Sequence, residues 1–333
     1  MTAAIAAGAL IAGVVMPTAA SAAPSPTALD HSQSGCGENL TLHTPASVGG
    51  QLYSSTAGSK FNTPILKKAA AKNVRWLSHI TCKTVKGHTQ PLKPPSAGGY
   101  GTPNWAGQVV DTSNWQGGGS LTPNYVQGEW TEPATALPDG YNSSASVIWP
   151  GLGGFCYDTA ANCQANPPQL IQDGTYQLDQ ASSPTYLENH YFWYELFPQE
   201  DLQLVTNMTP NPGDDVATAV NWTSDGTANF TLCDYTQSTC LSGSQASPAP
   251  ATTAEWVVER PTYEDGFHPL ADFGNVTFTN ADFQLSPNGQ LEYNAATATT
   301  YDIQDAGTND FLTDTGPLTA TNDSFTTSWV AAF

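Results

Sequence analysis

From Asn104 onward the apolar and polar positions follow the rhythm of strands and turns. Val216, Thr218, Val220 and Trp222 fall on one face of an alternating run, with their neighbours on the other. Ser224-Asp225-Gly226 then reads as a turn, and Asn229 to Tyr235 returns as a second strand. Val276 to Phe283 and Ser324 to Val330 read as further strands. Pro168 to Gly174 reads as a strand end entering a turn, and Tyr191 to Pro198 as an unusually aromatic strand. In Ala254 to Pro261, carboxylates flank a buried-strand pattern. One segment has a different period. Behind the Thr63-Pro64 start signal, Leu66, Ala70, Val74 and Leu77 follow helical spacing, decorated by Lys67, Lys68, Lys72 and Arg75. About 230 residues of short strands with no internal repeat suit a single β-sandwich.

The N-terminus predicts export. Ala3 to Val15 is an apolar run too short to span a bilayer, and Ala20-Ser21-Ala22 supplies small residues for cleavage after Ala22. No later stretch is long and apolar enough for a membrane span. The expectation is a secreted, extracellular, soluble protein. Export permits disulfides, and sequential pairing gives Cys36–Cys82, Cys156–Cys163 and Cys233–Cys240.

Composition narrows the class. The 333 residues include 9 Trp, 13 Tyr and 12 Phe, ample apolar surface for a core, so the chain is not disordered. Lys and Arg number 9 against 29 Asp and Glu, for a formal charge of −20, which argues against a nucleic-acid partner. That charge is divided. Residues 1–93 hold eight basic and two acidic side chains, net +6, whereas residues 94–333 hold one and 27, net −26. Pro91 to Gly99 has the composition of an exposed linker. The expected organisation is therefore a signal peptide (1–22), a basic pro-segment (23–98) and an acidic domain (99–333). Opposite charges would hold the pro-segment on the domain at neutral pH, and acid would release it. No Cys or His spacing suggests a metal, and no cofactor is expected.

Four patches, which follow one another in order along the chain, resemble the glutamic peptidase (eqolisin) family. Leu170-Ile171-Gln172 with Gly174 resembles its glutamine motif, and Ala254-Glu255-Trp256-Val257-Val258-Glu259 its glutamate motif. Trp193-Tyr194-Glu195 resembles its aromatic strand, and Asn104-Trp105 its opening. The resemblance implies an all-β fold, a two-sheet antiparallel β-sandwich of the concanavalin A-like jelly-roll type, preceded by the small, partly helical pro-segment. It also implies a metal-independent acid endopeptidase acting on proteins or peptides; a monomer is expected. Gln172 and Glu259 would be catalytic. Trp105, Trp149, Trp193 and Glu195 would bind substrate, with Glu195 on the same strand face as Trp193. Amide hydrolysis without a metal or a covalent nucleophile needs an activated water and a stabilised oxyanion. A Glu carboxylate supplies the first and a Gln carboxamide the second. The sequence departs from the family in Trp149-Pro150-Gly151-Leu152-Gly153, where Gly153 stands in place of an Asp.

A carbohydrate-binding or carbohydrate-hydrolysing sandwich is the rival from another class, since fold alone does not fix function. Its obvious carboxylate pair, Glu255 and Glu259, would lie about 13 Å apart along a regular strand. Glycosidase pairs stand at about 5–9.5 Å, so only a bulge would bring these two into range. A lectin would leave Gln172 without a role. An inactive relative acting at a surface is the third reading.

Overall fold

The structure, a computed structural model, describes residues 36, 40–43, 64–86, 101–113, 122–156, 167–182, 184–263, 266–285, 291–292, 298–305, 307–319 and 323–333. The expected signal peptide, the Pro91–Gly99 linker and both expected segment limits lie outside these residues.

The chain opens with β1 (Thr41–Leu42), helix α1 (Pro64–Ala71), β2 (Arg75–Trp76) and β3 (Cys82–Val85). Next come β4 (Gly101–Thr102), β5 (Trp105–Asp111) and four long strands: β6 (Pro123–Thr131), β7 (Ser143–Gly153), β8 (Leu170–Ser182) and β9 (Thr185–Phe197). They are followed by β10 (Leu202–Val205), β11 (Asp215–Thr223), β12 (Thr227–Asp234), β13 (Thr239–Ala246) and β14 (Thr253–Glu259). A small hairpin, β15 (Thr262–Tyr263) and β16 (Gly266–Phe267), precedes β17 (Asn275–Leu285) and β18 (Leu291–Glu292). The chain ends with β19 (Ala298–Ile303), β20 (Thr313–Thr315) and β21 (Phe325–Trp329).

Two large sheets face each other. The back sheet has the order β1-β13-β12-β11-β6-β17-β21-β20, and the front sheet β3-β10-β9-β8-β7-β14-β5-β19-β4. Their long strands pair antiparallel. Among the described strands, the short β2 and β4 join in parallel, on β13 and β19. The all-β, two-sheet antiparallel sandwich expected from the sequence is what the chain forms. The β11–β12 hairpin has the expected register, with Thr223 opposite Thr227 across the Ser224-Asp225-Gly226 turn.

Between the sheets, Ile171, Phe192, Ala254, Trp256 and Val258 of the front pack on Val216, Val220, Phe230 and Leu232 of the back. A second apolar cluster, with Trp105, Val147, Trp149, Trp193 and Val257, covers the other face of the front sheet. Strands covered on both faces show no alternation, and all eleven residues of β7 are buried.

Two expectations change. The helix ends at Ala71, not near Leu77, because Asn73 turns into the left-handed region (φ 50°). Its buried face is Ile65 and Ala69, one turn apart, and not Leu66 and Ala70. Val74 and Leu77 are buried all the same, beyond the helix, where the Leu77 N–H donates to Cys240 O (2.9 Å). The second change concerns Gly174. Leu170 starts a continuous 13-residue strand, so Gly174 lies inside β8 and not in a turn. A Cβ there would lie 2.0 Å from Ile148 O and 2.7 Å from Trp149 Cβ, so glycine serves close approach between β7 and β8.

The basic segment grips both sheets. Helix α1 lies on the outer face of the back sheet, where Ile65 and Ala69 meet Ala217, Ala219 and Tyr235. β1 and β2 extend the back sheet along β13, and β3 extends the front sheet along β10. Cys36–Cys82 and Cys233–Cys240 are bonded as expected. Cys156 is also in a disulfide, while Cys163 lies outside the described residues.

Candidate active site

Parity along β14 decides which side chains share a face. Ala254, Trp256 and Val258 point into the core, so Glu255, Val257 and Glu259 point to the front sheet's outer face. Gln172 reaches that face from β8, directly opposite Glu195 on β9. Trp193 stands opposite Gly174, and Trp105 opposite Glu259. Trp149 fills the row between, its ring meeting Trp105 edge-on at 4.8 Å. All six expected site residues therefore lie on one face of one sheet.

Glu259 is the centre of this arrangement. Its Oε2 accepts from Trp149 Nε1 (2.9 Å) and its Oε1 from Asn104 Nδ2 (3.1 Å). It has no exposed surface, and burial pushes its carboxyl well above the ordinary range. The Trp149 and Asn104 donors pull in the opposite direction. So does the Trp105 indole, which lies near Glu259 without meeting hydrogen-bond geometry. Glu195 is close enough for its charge to raise Glu259 further. Gln172 Nε2 donates to Glu195 Oε2 at 2.6 Å, which fixes the carboxamide's orientation. A carboxyl with two donors and an oriented amide can serve as base and oxyanion donor.

Asn104 is the functional neighbour that sequence reasoning placed only in a motif. Its role depends on an antiparallel pairing of residues 155 apart, which no local pattern reveals. Arg260, adjacent to Glu259 in sequence, is not its ion-pair partner. The guanidinium points away, with Nη1 3.8 Å from Asp305 Oδ2. At Gly153 the backbone has φ 86°, and a Cβ would lie 2.1 Å from Gln169 O. A side chain is sterically excluded there, and the carboxyl that orients Gln172 is Glu195.

Glu255 lies on the same face, fully buried, with neither oxygen hydrogen-bonded. β14 pairs regularly with β5 and β7 from Ala254 to Glu259, without a bulge. The Cα atoms of Glu255 and Glu259 thus stay about 13 Å apart along the strand. Among the described residues no group of three His, Cys, Asp or Glu is placed to hold a metal ion.

Comparison with known proteins finds relatives among peptidases. Aspergillopepsin-2 of Aspergillus niger is 27% identical over 242 residues, covering 66% of this chain and 78% of that protein. A crystal structure of scytalido-glutamic peptidase with a peptide-based transition-state analogue superposes with a TM-score of 0.51 at 22% identity. That match covers 68% of this chain and 98% of the other, and it supports the fold. The model of the peptidase A4 family matches residues 103–329. The chain belongs to the peptidase A4 (eqolisin) family and is a glutamic peptidase.

Proposed function

We propose that the chain is a secreted acid endopeptidase in which Glu259 and Gln172 form the catalytic dyad. Release of the basic segment returns water to Glu259 and removes the burial that raises its carboxyl, so that its two donors favour the carboxylate. The ionised Glu259 then takes a proton from water, and the water oxygen attacks the peptide carbonyl. Gln172 Nε2 carries two hydrogens, one committed to Glu195, and the other donates to the developing oxyanion. Glu259 then returns its proton to the leaving amine, giving a free carboxyl and a free amine. Asn104 and Trp149 hold the carboxylate, and Trp105 and Trp193 offer apolar surface to the peptide. The observation that carries this reading is a Glu259 held by two donors on the same sheet face as a Gln172 oriented by Glu195, whose charge reaches Glu259.

The basic segment is an inhibitory pro-segment in this reading. Gln172 and Glu259 are both fully buried in the intact chain. Val85 of β3 packs into the apolar cluster that contains Trp105, Trp149 and Trp193. β3, from the basic segment, forms one edge of the front sheet.

Glu259→Gln and Gln172→Ala each remove one function of the dyad and leave the fold intact. Loss of an oxyanion donor typically costs about 10²–10³ in rate. Casein hydrolysis at pH 3 by each purified, folded variant measures this. Near-normal activity of either variant would remove the role assigned to that residue.

A further inference from the structure

Arg260 is almost fully buried, 1% exposed, immediately after the strand that carries Glu259. It is the only Lys or Arg after Lys93, and its Nη1 lies 3.8 Å from Asp305 Oδ2. The guanidinium lies between two rings, 4.5 Å from the centre of Phe267 and 4.9 Å from that of Phe333. Burial pulls it down to about 10, still far above any working pH, so it stays a cation. Its Nη2 donates to Pro103 O at 3.0 Å. Its backbone N–H donates to Asn104 O at 2.8 Å, extending the β14–β5 ladder one residue past Glu259.

Arg260 thereby holds two successive carbonyls, those of Pro103 and Asn104. Between those carbonyls lies the Cα from which the Asn104 side chain reaches Glu259 Oε1. Pro103 lies between β4 and β5, where the Arg260 guanidinium fixes its carbonyl. The guanidinium is a planar, preorganised donor stacked on aromatic faces, a geometry that lysine does not reproduce.

We propose that Arg260 is a positioning residue for the peptidase reaction, acting through the Pro103–Asn104 backbone to aim the Asn104 carboxamide at Glu259. This rests on Glu259 being the base. The route is mechanical and not through-space, because the guanidinium sits on the side of the strand away from the site. The charged groups around Glu259 on its own face reduce to Glu195; Asn104, Trp105 and Trp149 are neutral donors. Loss of the Asn104 donor removes an interaction that favours the ionised carboxylate, so the acidic limb of the kcat profile moves to higher pH.

A double-mutant cycle on acid-activated protein tests this, with kcat, KM and the acidic limb measured for Arg260→Met, Asn104→Ala and the pair. Each single variant is expected to lower kcat about tenfold, the scale of one hydrogen bond to a charged group, with KM little changed. Each should raise the acidic limb by about one pH unit. In the Asn104→Ala background, Arg260→Met should add almost nothing. Arg260→Lys, which keeps the charge and one donor, guards against a folding defect and should restore part of the rate and of the limb. Full additivity of Arg260→Met with Asn104→Ala would overturn the inference. So would a loss of thermal stability with the acidic limb unmoved. Glu259→Gln runs as the control. If it stays active, the dyad reading falls, whereas an inactive Glu259→Gln beside an additive cycle removes the Arg260 inference alone.

Discussion

At the scale of single residues, the front sheet holds carboxyls whose environments differ in kind. Glu259 has donors on both oxygens, and Glu255, four residues earlier on the same strand, has none. Burial pushes Glu255 well above its ordinary value, and the Thr253 hydroxyl, outside hydrogen-bond geometry, offsets little of that. The groups beside it, Val109 on β5 and Gly151 on β7, are uncharged. Lys83, at the far edge of the sheet, is five strands away, about 24 Å. A carboxyl raised in the fold binds its proton more tightly there than in the unfolded chain, where it titrates near about 4.3. Its contribution is therefore intact below that pH. It is lost as pH rises toward the folded value, at about 1.4 kcal/mol per unit. Glu255→Gln should match the parent at pH 3 and unfold less readily above pH 5. Urea unfolding across that range measures it, and identical pH dependence in the two proteins would rule out Glu255 as a source of neutral-pH instability.

At the scale of elements, β8 positions Gln172 only because β7 can approach it closely at Gly174. Gly174→Ala places a methyl group 2.0 Å from Ile148 O, inside any contact distance. Overpacking of this kind costs about 1–3 kcal/mol, and here it must also shift the strand that carries Trp149, the donor to Glu259. The expected result is a lower melting temperature together with reduced kcat, measured by calorimetry and casein assay. Unchanged stability would mean that the two strands separate freely at this point. Elements differ in how far the sequence reveals them. The β11–β12 hairpin is legible because its turn residues are explicit and its large apolar side chains Val216, Val220, Phe230 and Leu232 all fall on the face turned to the core. β8 is not, because both its faces are buried and its glycine serves packing where a turn was expected. The helix is legible at its start, from Thr63-Pro64, but its end depends on Asn73, and Val74 and Leu77 continue its period by coincidence with strand burial.

At the scale of the molecule, the charge division becomes contact. Lys68 Nζ lies 2.7 Å from Glu129 and 3.0 Å from Asp215, and Lys72 lies 3.8 Å from Asp215. Lys68 also sits over the Tyr235 ring at 4.4 Å. Lys68, Lys72 and Asp215 are partly exposed, so the two Asp215 pairs each contribute at most about 1 kcal/mol and are weakened by salt, whereas Glu129 is buried and its contact with Lys68 is screened less. Acid discharges carboxylates, ordinarily near about pH 4, while the lysines remain charged, so attraction is lost from one side. The intact chain should persist at pH 7 and lose its basic segment at pH 3, near the Pro94–Gly99 linker. Lys68→Ala with Lys72→Ala should raise the pH at which this occurs. Mass spectrometry of the N-terminus after incubation at each pH follows the release. An intact chain with full activity at pH 3 would remove the inhibitory role of the segment.

The sequence by itself determined the all-β class, the strongly alternating hairpin, the opposed charges of the two segments and the ordered patches that mark the family. These are properties of composition and local order, and they survive without knowledge of which strand meets which. Tertiary structure alone decided that Asn104 reaches Glu259, that Glu195 orients Gln172, and that Arg260 turns away from its neighbour to hold the Pro103–Asn104 backbone. Each of these depends on register between strands far apart in the chain, where a shift of one residue sends every side chain to the opposite face. Register is fixed by the packing of both sheets at once, so no single segment encodes it.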